Sequence, residues 1–196
     1  MRFVKGPIPE NEAFQPEMAG WNKLKELDIK WVRWIGFPFG LPVALALLWI
    51  SNLQFSSIRD LSFLHFLIIL LGAYALIPIH EYLHALFMPK KQSDDGVVLG
   101  YWKEMKIFFA HYEGEMARNR FLLVLVAPLL CISAIPVVVL TVLEINLSLF
   151  TGILLFHAIL CGGDLYAISA VLLGIPNKAL IRNKGWRTYW RPRASK

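Results

Sequence analysis

The stretch "IPIHEYLHALF", residues 77–87, places two histidines and a glutamate in a segment that is otherwise apolar. His80, Glu81 and His84 form the pattern H-E-x-x-H. Residues four apart on a helix share one face and lie roughly 6 Å apart along its axis, so both imidazoles can hold one ion. Glu81 then lies beside that ion, within reach of a bound water. The spacing predicts a zinc protease site, with His80 and His84 as ligands and Glu81 as the catalytic base.

Apolar residues dominate the rest of the chain as well. Of its 196 residues 57% are hydrophobic and only 17% are charged, with a mean hydropathy of +0.53, which is outside the range of soluble globular proteins. Four segments are long and apolar enough to cross a bilayer as helices. The predicted fold class is an all-α integral membrane protein with four transmembrane helices, at about residues 31–53, 61–88, 121–143 and 149–174.

The polar segments between and beside these helices predict smaller elements. Residues 1–30 are expected to form a cytosolic N-terminal segment with a short interfacial helix, because Trp21, Leu24, Leu27 and Trp31 follow a helical spacing. Loop 89–120 contains many β-branched and aromatic residues between glycines, so it predicts two or three short strands. Residues 175–196 read as a basic cytosolic tail. Both cysteines fall inside candidate helices, where buried free thiols are expected.

The basic residues predict the orientation in the membrane. If the four helices alternate in direction, 19 of the 20 lysines and arginines lie on one side. The positive-inside rule then places both termini and loop 89–120 in the cytosol of a multi-pass protein of the cell membrane. The basic tail, with Trp186, Tyr189 and Trp190 among its charges, is expected to contact anionic lipid headgroups. No nucleic-acid partner is expected, since no recognition motif accompanies the charge.

A catalytic zinc site uses three protein ligands, so a third must come from elsewhere in the chain. Asp164 is the only acidic residue of the fourth candidate helix. Both Asp164 and His80 lie roughly 12–15 Å from the cytosolic ends of their helices, so their depths agree. Gly162 and Gly163 predict a close helix approach beside the aspartate. We therefore expect His80, His84 and Asp164 to hold Zn²⁺.

Two further residues remain candidates near this site. His157 lies two helical turns before Asp164 on the same face, and it is either an alternative ligand or a residue that orients one. Cys161 lies between them and is either a ligand or a small apolar core residue. His65 lies towards the opposite end of the second helix, where an interfacial role is expected.

These motifs resemble a bacterial family of zincin peptidase membrane proteins. The resemblance covers roughly residues 60–175 and rests on H-E-x-x-H, a following β-rich loop, the segment from Arg118 to Pro128, and a late histidine with Gly163-Asp164. More distantly the chain is similar to the site-2 intramembrane proteases, in which an aspartate from a later helix joins H-E-x-x-H. It departs from them because Gly-Gly-Asp-Leu replaces their Asp-Gly order and no Asn-x-x-Pro segment precedes the aspartate.

The expected function is zinc-dependent hydrolysis of peptide bonds in membrane proteins or peptides, within or beside the membrane near its cytosolic face. The strands around Val97 to Phe109 are expected to pair with an extended substrate segment. Two alternatives use the same residues differently. One is a metal-ion carrier or metal-binding membrane protein with the same His and Asp ligands, and the other is a non-catalytic membrane scaffold. The sequence leaves the oligomeric state open.

Overall fold

The protein contains both helices and short strands. The protein is described by a computed structural model, which covers residues 1–51, 62–89 and 96–193. The helices are α1 (Ile29–Ile50), α2 (Phe63–Ala75), α3 (Ile77–Phe87), α4 (Arg118–Pro128), α5 (Ile135–Val142), α6 (Ser148–Leu160) and α7 (Gly162–Gly174), with a π-helical segment, Leu129–Ala134, between α4 and α5. The strands are β1 (Arg2–Lys5), β2 (Asn22–Lys23), β3 (Val97–Trp102), β4 (Ile107–Tyr112), β5 (Met116–Ala117), β6 (Leu180–Lys184) and β7 (Arg187–Arg191).

The prediction of an all-α protein with four membrane-spanning helices is wrong. The fold mixes helices with two β-sheets. The first sheet has the order β1-β3-β4, with β1 parallel and β4 antiparallel to β3. The second has the order β2-β7-β6-β5 with antiparallel neighbours throughout. Strands in loop 89–120 were expected, but their partners come from the two ends of the chain, and local periodicity carries no information about such distant pairs.

The N-terminal segment differs from the sequence-based prediction. Residues 22–23 form β2 in place of the predicted interfacial helix, and helical structure begins only at Ile29. Trp21 packs edge-on against Phe14, which in turn contacts Tyr189 of β7. The spacing of the apolar residues around Trp21 therefore reflects a small protein core.

The basic tail is also folded. Strands β6 and β7 form a hairpin whose turn contains Gly185 with φ of +54°, a conformation that suits glycine. The guanidinium of Arg182 lies over the ring of Phe14, and that of Arg191 lies over Trp21. Arg191 also forms an ion pair with Glu115, at 3.0 Å. Several charges predicted to face lipid headgroups thus contact protein groups.

The chain divides into two compact units. The first consists of residues 1–29, 81–127 and 167–196, and it contains both sheets. Its core is an apolar cluster to which the segments around α4, α7 and β6 contribute; the buried members are Leu24, Met88, Tyr112, Met116, Phe121, Val124, Val171, Ile175, Ala179 and Ile181. Burial of these side chains holds the ends of the helices to the sheets.

The second unit consists of residues 30–80 and 128–166 and is built from helices. Gly72 of α2 lies against the side chain of Ile153, and Gly152 of α6 lies against that of Ile69. Each glycine leaves room for an isoleucine from the opposite helix, so α2 and α6 pack closely. Cys161, which follows α6, is buried, whereas Cys131 is exposed, so the expectation of two buried thiols holds for only one of them.

Three helical stretches among the described residues are long and apolar enough to cross a membrane: Ile29–Ile50, Phe63–Phe87 and Arg118–Val142. The fourth predicted helix is a pair, α6 and α7, bent by 41° at Cys161. Large apolar side chains on these helices face outwards, with Trp49 82% and Phe63 81% exposed. Such exposure is compatible with a membrane protein, because a soluble protein rarely leaves so much apolar surface in water.

The second of these stretches begins with a capping box. The hydroxyl of Ser62 accepts a hydrogen bond from the backbone N–H of His65, and the ring Nδ1 of His65 lies 3.1 Å from the backbone nitrogen of Ser62. These contacts satisfy two N–H groups at the start of α2. The structure therefore gives His65 a capping role at a helix end.

Candidate metal centre

The H-E-x-x-H motif lies on α3, which starts immediately after a break in the helix at Leu76. Pro78 is in the first turn of α3, where its missing N–H leaves no intrahelical bond unmade. The backbone N–H of His80 bonds the carbonyl of Leu76 at 2.9 Å, so the helix is regular from there onwards. The proline thus lies in the first turn of the helix that carries His80, Glu81 and His84.

His80 and Asp164 lie together in the second unit, as the sequence predicted. Nε2 of His80 is 3.1 Å from Oδ2 of Asp164, and their side chains are only 12% and 20% exposed. Asp164 is in the first turn of α7, directly after the bend. The bend at Cys161 therefore turns the chain at the point where the carboxylate meets the imidazole.

Gly162 explains the close packing at this bend, and its partner is α1. A Cβ atom on Gly162 would overlap the backbone carbonyl of Gly36, on α1. Gly163 is less restricted, since a Cβ there would meet only the side chain of Val32 at an ordinary 3.5 Å. The absence of a side chain at Gly162 lets α7 start against the backbone of α1 at Gly36, and this contact positions Asp164.

His157 lies on the other side of the His80 ring. Its Nε2 is 3.1 Å from Nδ1 of His80, and its Nδ1 is 2.8 Å from the hydroxyl of Ser133. Both His157 and Ser133 are almost completely buried, at 1% and 0% exposure. His80 is therefore contacted at both ring nitrogens, by an aspartate on one side and a histidine on the other.

The thiol of Cys161 is the fourth group in this cluster that could bind a metal. Its sulfur lies 3.9 Å from Nδ1 of His80 and 3.7 Å from Nδ1 of His157. One ligand atom from each of these three residues lies within 4.8 Å of the others, a spacing that a metal ion can bridge. The structure thus keeps open the alternative in which His157 and Cys161 are ligands.

His84 lies one turn after His80 on α3, within the part of the helix that belongs to the first unit. It is 7% exposed, and its Nδ1 is 2.8 Å from the backbone carbonyl of Val124 on α4. A carbonyl only accepts hydrogen bonds, so Nδ1 carries the proton of a neutral ring. Nε2 of His84 is then the unprotonated nitrogen, which is the form that binds metals.

Glu81 follows His80 directly and is partly exposed. On a helix its side chain projects about 100° away from that of His80. A carboxylate in this position suits a base that exchanges protons with water.

Two groups in this region were missed by sequence reasoning. The carbonyl of Val124 has no sequence signal, because every residue has one. Ser133 had a weak signal, since it is a lone hydroxyl in the apolar run "LLCISAIP". It lies within the π-helical segment, which the sequence did not predict.

One known family matches most of the region that contains this site. Residues 73–180 match a family model described as "Putative zincin peptidase", and the match covers more than half of the chain. The chain belongs to this family. No curated protein and no solved structure matches it. Membership in the zincin peptidase family confirms the resemblance and supports metallopeptidase chemistry in general, with zinc as the implied metal.

The residues present suit the metal of the zincin peptidase family. Two ligand atoms bound tetrahedrally to zinc, each about 2.1 Å from it, lie about 3.4 Å apart. The distance from His80 Nε2 to Asp164 Oδ2 is 3.1 Å, close to this value. Imidazole nitrogen and carboxylate oxygen are also the donors that zinc uses in catalytic sites. The donor set therefore fits zinc both in chemistry and in spacing.

Proposed function

We propose that the protein is a zinc-dependent peptidase that hydrolyses peptide bonds of membrane-associated substrates near the cytosolic face. The observation that carries the proposal is the pairing of His80, from H-E-x-x-H, with Asp164 at 3.1 Å in a chain of the zincin peptidase family. The proposed ligands are His80, His84 and Asp164.

Zinc bound there would polarise the scissile carbonyl and lower the pKa of an attacking water. The protein's own contribution to the proton transfers comes from Glu81. Its carboxylate takes the proton from the water and delivers it to the nitrogen of the leaving amine. The hydrogen bond from His84 Nδ1 to the Val124 carbonyl keeps that imidazole in one orientation throughout.

The membrane setting is part of the proposal. Three candidate spans and the outward apolar side chains support it. The sheets add an argument that is independent of charge: β1 pairs with β3, and β2 pairs with β7, so both ends of the chain and loop 89–120 meet in shared sheets. Strands that pair must lie on the same side of a membrane. Together with the positive-inside rule, this supports a multi-pass protein with both termini in the cytosol.

The manner of substrate binding changes from the sequence-based hypothesis. Strand β3 is paired with β1 on one edge and with β4 on the other, so it offers no edge for strand addition. A substrate segment therefore cannot pair with Val97–Trp102, but β4, which contains the rest of the predicted Val97 to Phe109 region, is an edge strand of the described sheet, and strand addition there stays a prediction. Contact of the remaining basic side chains of the tail with anionic lipid stays a prediction.

The function is tested with a Glu81→Gln variant compared with the unaltered protein. Both are purified in detergent, their zinc is measured by mass spectrometry, and each is incubated with detergent-extracted membrane proteins whose new termini are then mapped. We expect about one zinc per chain in both proteins and cleavage only in the unaltered one, because Glu81 moves protons and is not a ligand. Cleavage by the Gln variant would contradict this role. Zinc without cleavage in either protein would favour the metal-binding alternative.

A matched control comes from Glu104, an exposed glutamate in the turn between β3 and β4. Glu104→Gln makes the same chemical change away from the site and is expected to keep both zinc and cleavage. The mapped termini also test the substrate class. Cuts within or beside the cytosolic third of transmembrane segments support it, whereas cuts confined to extracellular loops would refute it.

A further inference from the structure

Ser133 begins a chain of hydrogen bonds that ends at the proposed metal ligand. Its hydroxyl oxygen lies 2.7 Å from the carbonyl of Leu154 and 2.8 Å from Nδ1 of His157. A serine has one hydroxyl hydrogen, and a carbonyl only accepts. The hydrogen therefore points to Leu154, and the serine oxygen accepts the Nδ1–H of His157.

The same reasoning carries over to the next contact. A neutral His157 that carries its proton on Nδ1 has an unprotonated Nε2. That nitrogen is 3.1 Å from Nδ1 of His80, so His80 is the donor in this hydrogen bond and carries its proton on Nδ1. The Leu154 carbonyl, which can only accept, thus fixes the direction of all three hydrogen bonds and with it the tautomers of His157 and His80.

The end of the chain is the contact between His80 and Asp164. With its proton on Nδ1, the neutral His80 ring presents a lone pair on Nε2, and this atom is 3.1 Å from a carboxylate oxygen. Two acceptors at that distance repel each other unless a cation lies between them, and that cation is either a proton on Nε2, which makes His80 an imidazolium paired with Asp164, or a metal ion that replaces this proton. Such an arrangement is suited to a metal ion, and it depends on the groups behind His80.

We propose that Ser133 and His157 are positioning residues that hold His80 in the tautomer and orientation needed to bind zinc through Nε2. This inference rests on the proposed function, since it concerns the same metal. Hydrogen-bonding partners behind a metal-binding histidine typically contribute a factor of about 10–100 to metal affinity. Ser133 and His157 would play this part for His80, as the Val124 carbonyl does for His84.

The π-helical segment explains how Ser133 reaches this position. The backbone N–H of Ile135 bonds the carbonyl of Leu130, five residues earlier, which is the π-helical pattern. A π-helical turn contains an extra residue, so side chains within and after it, including that of Ser133, are rotated from their α-helical directions. Ser133 consequently contacts both a carbonyl and a ring on α6. Short π-helical segments occur often at functional sites, in keeping with this role.

The test measures zinc affinity by competition with a chromophoric chelator, using the full-length protein in detergent. Ser133→Ala and His157→Phe each remove one acceptor from the chain and should weaken zinc binding about 10- to 100-fold. His157→Gln keeps an acceptor oxygen for His80 Nδ1–H, so it should recover most of the affinity lost in His157→Phe. Thr141→Val is the matched control, because Thr141 also donates to a carbonyl, that of Val137, at 2.8 Å, but contacts no imidazole in the hydrogen bonds described. It should bind zinc normally.

A cobalt-substituted sample provides a second readout, which separates positioning from ligation. If Ser133 and His157 only position His80, Co²⁺ in His157→Gln should keep the visible absorption bands of the unaltered protein. A changed spectrum in that variant would make His157 a ligand and overturn the proposal. Cys161→Ser should leave the spectrum intact. Loss of a thiolate-to-cobalt band there would place the ion among His80, His157 and Cys161 instead, which also overturns it.

The remaining outcomes distinguish this proposal from the proposed function. Unaltered protein that binds zinc, with unchanged affinity in Ser133→Ala and His157→Phe, would refute the positioning role and leave the peptidase proposal standing. Unaltered protein that binds no zinc would refute the proposed function itself, and the inference with it. Thermal unfolding of every variant shows whether a loss of affinity comes from a loss of fold.

Discussion

A Cβ atom placed on Gly162 would overlap the backbone carbonyl of Gly36, so the start of α7 lies directly on the backbone of α1. Asp164 is two residues further along and reaches His80 from this position. The exact place of the carboxylate therefore depends on the absence of a side chain at residue 162.

Gly162→Ala tests this dependence, with the adjacent Gly163→Ala as its control. The first change forces backbone apart and should cost about 1–3 kcal/mol of stability together with a loss of zinc. The second adds a methyl group at ordinary contact distance from Val32 and should be neutral or slightly stabilising, since alanine is the better helix former. Thermal unfolding in detergent and zinc analysis compare the two. Equal tolerance of both would show that the contact with Gly36 is unimportant.

Loss of the proposed third ligand should release the metal. Asp164→Ala removes the carboxylate that faces His80 and should lower bound zinc as strongly as His80→Ala, because a three-ligand site with one group missing holds zinc poorly. Zinc is measured after dialysis against a weak chelator. Retention of full zinc by Asp164→Ala, with complete loss in His157→Ala, would identify His157 as the ligand instead.

Arg118 should stabilise the first unit through the end of α7. It is 7% exposed, and its guanidinium donates to the side chain of Asn177 and, at 3.4 Å, to the carbonyl of Leu172 in the last turn of that helix. Arg118→Ala removes two hydrogen bonds from a charged donor and the packing of a buried side chain, so it should cost roughly 1–3 kcal/mol. Arg120→Ala, two residues away and exposed, should change stability by less than about 0.5 kcal/mol. Similar unfolding temperatures for the two variants would contradict this role.

His111 should make the first unit sensitive to acid. It is buried in β4, and burial, together with the charge of Arg2, lowers its pKa from 6.5 to about 4. Above pH 6.5 the ring is neutral in both the folded and the unfolded chain, so it does not lower the stability. As the pH falls from 6.5 to 4, only the unfolded chain gains the proton, and stability drops by roughly 3 kcal/mol. His111→Gln should flatten this part of the stability profile, and an unchanged profile would assign the acid sensitivity to other groups.

Orientation can be tested without a substrate. After replacement of Cys131 and Cys161, single cysteines at Lys178 and Ser148 should react with impermeant thiol reagents from opposite sides of the cell membrane. Lys178 precedes β6 and is exposed, so it should react only when the cytosolic side is opened. Ser148 begins α6 and should react from outside. Labelling of both from the same side would contradict the proposed membrane crossing by α6 and α7, which lie between the two positions.

The sequence predicted the parts of the site that depend on local spacing. H-E-x-x-H on a helix fixes the relation of His80, Glu81 and His84, and the matched depths of His80 and Asp164 anticipated their contact. The bend at Cys161, the contact of Gly162 with α1 and the hydroxyl of Ser133 beside His157 were not predicted. Each depends on how segments far apart in the chain pack together, and periodicity within one segment does not contain that information.

Strands were predicted in loop 89–120, but their pairing with strands from the two ends of the chain was missed for the same reason. Particular residues account for the wrong predictions at those ends. Trp21 and Leu24 have helical spacing, yet both are buried in the core of the first unit beside short strands. The basic hairpin β6–β7 was taken for a tail because arginines dominate it, whereas Arg182 and Arg191 stack on aromatic rings. Composition showed the charges but not the rings that contact them.

The pairing of β1 with β3 and of β2 with β7 also determines when the sheets can form during synthesis. Arg2 is translated about a hundred residues before its partner Val98, and the separation between Asn22 and its partner Trp190 is larger still. At translation rates of about 5–20 residues per second, these early strands remain unpaired for several seconds while the intervening helices are made. The second sheet is therefore completed only after the last hairpin has left the ribosome, and a nascent chain that stops before β7 has no partner for β2.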